Sequence, residues 1–213
     1  MKAKLYGYWR SSASWRVRWA FSLKKIPFEY IPVNILKGEN RSPEHMARSP
    51  LGALPVLEIA PDVFLSQSMS ILIWIEENFS STPYLFGKDR TNRYKIIELC
   101  EIINSDTAPL QTPRAQNAHS SLPDEKMKFA KSFIQQGLQA FEKSIQNITG
   151  KFCIHDEISA ADLFLIPQLY NAKRFGFELE KDFPILNKIY MNCFETAECL
   201  ASAPEKQIDA IKT

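Results

Sequence analysis

Along the first 80 residues the apolar positions gather in short runs: Leu5 to Trp9, Phe28 to Val33, Val56 to Ile59 and Val63 to Leu65. Runs of this length and composition predict strands. Between the first two, Trp15 to Leu23 carries a helical pattern, and after the last, Ile71, Trp74 and Ile75 have the i, i+3, i+4 spacing of a packed helix face. The two short runs flanking Pro61-Asp62 read as a hairpin. The predicted order is βαβαββα. Ser80-Ser81-Thr82-Pro83 reads as a linker, and beyond it the pattern is helical to the carboxyl terminus. Ile134, Leu138, Phe141 and Ile145 mark one amphipathic helix, while residues 160–170 are apolar nearly all round, as in a helix at the centre of a bundle. Ser159 and Asp162 have the spacing of a capping box at its start, which gives Asp162 a structural rather than a catalytic role. The expected division is an α/β part over 1–80, a linker over 81–87 and an all-α part over 88–213, without internal repeats.

Composition narrows the function classes. A chain of 213 residues, 45% hydrophobic, can bury a sizeable core as one large or two modest domains. The formal charge of +2 is spread rather than clustered, so nucleic acid is not an expected partner. No apolar run has the length of a membrane span and the amino terminus lacks a signal-peptide core, which predicts a cytoplasmic protein with no membrane partner. Cys100, Cys153, Cys193 and Cys199 are widely separated with no C-x-x-C pair, so they read as buried thiols and no metal site is expected.

The densest chemistry is Arg10-Ser11-Ser12-Ala13-Ser14-Trp15-Arg16-Val17-Arg18, where the first strand hands over to the first helix. A helix start offers free N–H groups and the positive end of the dipole, and both favour an anion. Hydroxyl donors there would stabilise a thiolate and so activate it. The alternative is that one serine simply caps the helix.

This segment resembles the signature of the zeta-class glutathione transferases, Ser-Ser-Cys-x-Trp-Arg-Val-Arg, with Ala13 at the cysteine's place. The resemblance continues in order through Ala53-Leu54-Pro55-Val56-Leu57, Ser66-Gln67-Ser68, Pro109-Leu110, Asp156-Glu157-x-x-x-Ala161-Asp162 and Pro167-Gln168-x-x-Asn171-Ala172-x-Arg174-Phe175. It implies the glutathione transferase fold: an α/β thioredoxin-like N-terminal domain plus an all-α C-terminal domain, paired as a homodimer. It implies glutathione as cofactor and the cis-trans isomerisation of maleylacetoacetate to fumarylacetoacetate, in aromatic amino-acid catabolism, by reversible addition of the thiolate. Ser11 and Ser12 would be catalytic. Glutathione would be held by Ser11, Ser12, Ala13, Ser14, Trp15 and Arg16, by Asn40, by a cis Leu54-Pro55 pair whose free backbone edge takes the cysteinyl part, by Gln67 and Ser68 at the γ-glutamyl end, and by Gln111, Thr112 and Arg114. Arg16 also suits ordering the loop. Arg10 and Arg174 would pair with the carboxylates of a substrate lying between the domains. Arg174 equally suits closing a helix end.

Four positions depart from the family's pattern, the mildest being Asn40, where relatives commonly carry Gln. Ala13 argues against cysteine-based thioltransferase or reductive dehalogenase chemistry. Ala108 and Thr112 replace the usual polar residue and Asn, and Pro113 interrupts any helix there, so the second pocket's wall is expected to differ. Three readings stay open: the isomerase, a transferase acting on small α-halo acids, and a non-catalytic binding module.

Overall fold

The structure, a computed structural model, describes residues 3–211. The chain divides into two compact units, residues 1–85 with 196–213, and residues 86–195.

The first unit opens with β1 (Ala3–Gly7), α1 (Ser12–Leu23) and β2 (Phe28–Pro32), followed by α2 (Pro43–Arg48), the hairpin β3 (Val56–Ala60) and β4 (Val63–Ser66), and α3 (Ser68–Asn78). The four strands form one sheet in the order β2-β1-β3-β4, with β1 and β2 parallel and the other pairs antiparallel. This is the predicted βαβαββα order. The β1-α1-β2 crossover requires parallel strands joined by a helix packed on the sheet, and Val17, Phe21, Ile71, Leu72 and Ile75 from α1 and α3 are all fully buried with Leu5 and Leu57. β1 ends two residues short of its apolar run. Tyr8 and Trp9 are buried, but the chain is already turning there, with the Ser11 N–H donating to the Tyr8 carbonyl at 3.0 Å. The unit is completed by α10 (Ala197–Ser202), which packs on α1.

The second unit holds α4 (Arg90–Asn104), α5 (Pro113–His119), α6 (Pro123–Ile145), α7 (Ala160–Arg174), α8 (Leu179–Asp182) and α9 (Pro184–Phe194). Ile134, Leu138, Phe141 and Ile145 form the buried face of α6 as their spacing predicts. α7 is buried at every position from Ala160 to Leu169 and packs against α4 and α9. Its capping box is formed: Asp162 Oδ2 accepts from the Ser159 N–H at 2.9 Å and hydroxyl at 3.1 Å, while Oδ1 accepts from the Cys153 N–H at 2.9 Å. The helix runs four residues beyond the predicted stretch and carries Pro167 within it. Pro113 interrupts the helical run as expected, since a 3-10 turn ends at Gln111, and it begins the next helix at the position where a missing N–H costs nothing. All four cysteines are free and buried, and burial pushes the Cys153 thiol well up, so this thiol is inert at neutral pH. Among the described residues no helix is long and apolar enough to cross a membrane.

Candidate functional site

The register of the sheet determines which loops meet. Tyr6 pairs with Val56, Val56 with Ser66, and Gly7 with Pro32. The loop after β1, the Leu54-Pro55 pair before β3, the start of α3 after β4 and the segment after β2 that holds Asn40 therefore leave the sheet at one end. Four separate sequence signals are brought together by strand pairing alone.

At the first loop, Gly7 is required by close approach: a Cβ there would lie 2.8 Å from the Tyr30 ring and 3.3 Å from the Ser14 hydroxyl. The turn that follows delivers Ser11 as the N-cap of α1, its Oγ accepting from the Ser14 N–H at 3.2 Å. That bond uses an oxygen lone pair and leaves the hydroxyl proton to donate. No acidic residue lies in the first turn of α1, so the helix itself leaves the positive end of its dipole uncompensated. Ser12 follows as its first residue, and Ser12 and Ala13 are half-buried. Arg10 rests its guanidinium 5.3 Å from the Trp9 ring centroid.

Other members of the segment face inward. Ser14 is buried and accepts from the Tyr8 N–H at 3.4 Å. Trp15 is 1% exposed and its indole donates to the Ser202 hydroxyl at 3.0 Å. Arg16 is buried and donates to the Ser68 hydroxyl at 3.1 Å. Arg16 thus ties the start of α1 to the start of α3, the loop-ordering role its position suggests. The Ser14 hydroxyl holds the Tyr8 backbone, while Trp15 and Arg16 tie α1 to the Ser202 and Ser68 hydroxyls.

At the start of α3, Gln67 has φ 73° and ψ 119°, a conformation that residues with a Cβ rarely adopt. Its exposed side chain makes no cap bond, Ser68 is buried, and the first turn of α3 again lacks an acidic residue. Backbone strain of this kind persists only where the surroundings impose it. Leu54-Pro55 is cis. The loop before it is pinned by side chains: Asn40 donates to the Gly52 carbonyl at 2.8 Å, and the Ser49 hydroxyl accepts from the Ala53 N–H at 3.1 Å. His45, which the sequence reading did not single out, donates from Nε2 to the Ala53 carbonyl at 3.2 Å. A lone histidine on a short helix carries no sequence signal for this.

The remaining predicted residues belong to the second unit. Gln111 ends a 3-10 turn (Ala108–Gln111) and is buried, exchanging two hydrogen bonds with Gln168 at 2.7 and 2.9 Å and accepting a third from Asn171 at 2.8 Å. Its amide oxygen and nitrogen are committed inside the unit. Asn171 in turn accepts from Arg174 at 3.1 Å, so the amides lead to the exposed guanidinium at the end of α7. Gln168 and Asn171 lie in a motif noted in the sequence, but amide pairing across 57 residues has no local signature. Thr112 caps α5, accepting from the Ala115 N–H at 3.3 Å, and Arg114 is exposed in that helix.

Comparison with known proteins agrees with this arrangement. The family model "Glutathione S-transferase, N-terminal domain" matches residues 1–77 and "Glutathione S-transferase, C-terminal domain" matches residues 111–202. The chain is 36% identical to the maleylacetoacetate isomerase of Dictyostelium discoideum over 98% of its own length and 96% of the relative's. It is 37% identical to a zeta-class glutathione S-transferase of Euphorbia esula over 98% and 93%. Among solved structures, the maleylacetoacetate isomerase of Anaeromyxobacter dehalogenans 2CP-1, with dicarboxyethyl glutathione and citrate in its active site, superposes with a TM-score of 0.89 at 36% identity, covering 99% of this chain and 94% of that one.

Proposed function

We infer the function from one premise, that this chain belongs to the glutathione S-transferases and to their zeta class: it is a glutathione-dependent isomerase that converts maleylacetoacetate to fumarylacetoacetate. The observation that carries the reading is the free Ser11 hydroxyl proton at a helix start with no acidic residue in its first turn, at the same sheet end as the Leu54-Pro55 pair and Gln67. Those residues fit an extended, anionic peptide with a sulfur at its middle. Gln67 and the N–H groups at the start of α3 take the γ-glutamyl carboxylate, and the Leu54 backbone takes the cysteinyl part. When bound, glutathione supplies the nucleophilic sulfur whose reversible addition to the cis double bond permits rotation.

Ser11 donates its hydroxyl proton in a hydrogen bond to the sulfur, which holds the thiol ionised at neutral pH. Ser12 and the α1 N–H groups add to the same field, and Arg16 keeps the two helix starts in register through Ser68. We assign the substrate carboxylates to Arg10 and Arg174. Stacking on Trp9 restrains the first, and the Gln111-Gln168-Asn171 amides restrain the second, so little rotamer entropy is lost on binding. We also propose a cytoplasmic homodimer. Leu51 and Tyr94, 60% and 65% exposed, give apolar surface for a second copy to cover, and four free buried thiols suit a reducing compartment.

The test is loss of the cis-enone absorbance of maleylacetone with and without glutathione. Rapid glutathione-dependent conversion is expected, falling about 10²-fold in Ser11→Ala, with Tm lower by only a few degrees for the lost helix cap, about 1 kcal/mol. Turnover of α-halo acids without isomerisation would reassign the chain as a transferase, and failure of both would leave a binding module.

A further inference from the structure

Resting on that functional reading, we propose that the carboxyl-terminal segment is part of the catalytic machinery, with Asp209 a positioning residue that fixes the turn presenting Arg10 and Ser11.

The turn runs from Tyr8 to Ser11, and the four main-chain polar groups of Tyr8 and Trp9 are all engaged. The Tyr8 N–H donates to the Ser14 hydroxyl at 3.4 Å. The Tyr8 carbonyl accepts from the Ser11 N–H at 3.0 Å and from Arg18 at 3.4 Å. The Trp9 carbonyl accepts from Arg18 at 2.9 Å. These partners all lie within ten residues, on α1 or at its cap. The fourth does not: the Trp9 N–H donates to Asp209 Oδ2 at 2.9 Å, across 200 residues of chain. Asp209 therefore supplies the only tie on this turn, among the described residues, that is not local to it.

The segment that brings Asp209 there is itself anchored on α1. Ser202, at the end of α10, accepts from the Trp15 indole at 3.0 Å and, through its carbonyl, from Arg18 Nε at 3.2 Å. Gln207 donates to the Ala203 carbonyl at 2.8 Å, and its own carbonyl accepts from the Ala210 N–H at 3.1 Å, a turn that holds Asp209 in place. Tyr30 donates to the same Oδ2 at 3.4 Å. The other carboxylate oxygen, Oδ1, is buried with no hydrogen-bond partner. Sealing a carboxylate oxygen from water without a partner costs stability. The carboxylate also lies near the buried Arg18 guanidinium and favours its charge, so what Asp209 adds beyond that pairing is the hold on the Trp9 N–H. Arg18 belongs to the same clamp, holding the carbonyl side of the turn while Asp209 holds the amide side. Without the latter, the peptide between Tyr8 and Trp9 would lose its restraint two residues before Ser11, and a hydroxyl that must lie within hydrogen-bond distance of sulfur tolerates little displacement.

What the Trp9 N–H needs is an acceptor rather than a charge, so Asn should serve where Ala does not. In Asp209→Ala, kcat is expected to fall about tenfold, with KM for glutathione within twofold because the Gln67 end is untouched. The ultraviolet difference absorbance of the bound thiolate should titrate at higher pH, and the Trp9 amide should exchange its hydrogen faster. Asp209→Asn should restore all three readouts, which a merely structural loss would not do selectively. If Asp209→Ala does not fold, Asp209→Glu keeps charge and acceptor but displaces them by a methylene, and should show the same kcat loss in milder form. Unchanged kcat and thiolate titration in a folded Asp209→Ala, or in Asp209→Glu if that is the variant measured, overturns the proposal, as does failure of Asn to rescue. Absence of glutathione-dependent turnover and thiolate absorbance in the unmodified protein instead sinks the functional reading, and the proposal with it, whatever Trp9 exchange shows.

Discussion

Gln67 holds its backbone at φ 73° while its side chain makes no cap bond to its own helix. A residue with a Cβ keeps such a conformation at a cost of about 1–3 kcal/mol, and the surroundings must impose it. Gln67→Gly removes that cost and the amide together. Stability should therefore stay level or rise by up to about 1 kcal/mol, after the unfolded-state entropy of glycine is set against the relief, while glutathione affinity should fall about tenfold. Thermal melts and glutathione titration read the two effects separately, and a parallel loss of both would mean that Gln67 serves the fold. At this scale the sequence was informative where chemistry is local. Ser11, Ser12, Gln67 and Ser68 announce themselves as hydroxyls and amides at helix starts. The commitments of Asn40 to Gly52 and of Gln111 to Gln168 were not legible, because a side-chain amide looks the same whether it faces a ligand or another residue's amide.

Elements are read from periodicity, and their ends from chemistry that periodicity ignores. The capping box at Ser159 and Asp162 gave the start of α7 to the residue, since capping is a local exchange of hydrogen bonds. The end of β1 was overrun because Tyr8 and Trp9 stay buried through the turn, so apolar character outlasts strand pairing. Helix contacts are less legible still. On α6, the buried Gly137 lies against Thr107: an added Cβ would clash with the Thr107 hydroxyl oxygen and fall 3.0 Å from its Cβ. The Thr107 hydroxyl cannot simply swing away, since it donates to the Ile102 carbonyl at 2.7 Å. Gly137→Ala should destabilise by about 1–3 kcal/mol through overpacking. Adding Thr107→Ala removes the clashing oxygen and methyl, so the double variant should be less destabilised than the sum of the singles. Denaturant unfolding of the four proteins measures that coupling, and strict additivity would show that the two residues do not meet.

For the molecule as a whole, the helical pattern toward the carboxyl terminus says nothing about which element its last helix covers, and here Ala197–Ser202 covers α1, 187 residues away at the Trp15–Ser202 bond. Removing the segment would leave Arg18 as the most exposed consequence. Its guanidinium is buried, and burial pushes it down to about 10 against the opposing pull of Tyr30 and Asp209, so it remains charged at neutral pH and is compensated by those two groups and by the Tyr8, Trp9 and Ser202 carbonyls. A chain ended after Glu195 loses the Ser202 carbonyl, the Trp15 partner and the apolar cover of α10 at once. Weakening a buried charge's hydrogen bonds in this way costs about 3–5 kcal/mol, which for a chain of this size corresponds to a Tm lower by roughly 10 °C. A chain ended after Gln207 keeps Ser202 and loses Asp209. Its Tm should fall by no more than about 3 °C, while its kcat should drop as in Asp209→Ala. Melting both chains separates cover from clamp: if the chain ended after Glu195 melts with the full-length protein, Arg18 finds its compensation elsewhere and the segment is an appendage. If both chains melt together well below it, the last turn carries the cover as well, and Asp209 stabilises the unit rather than only positioning its loop.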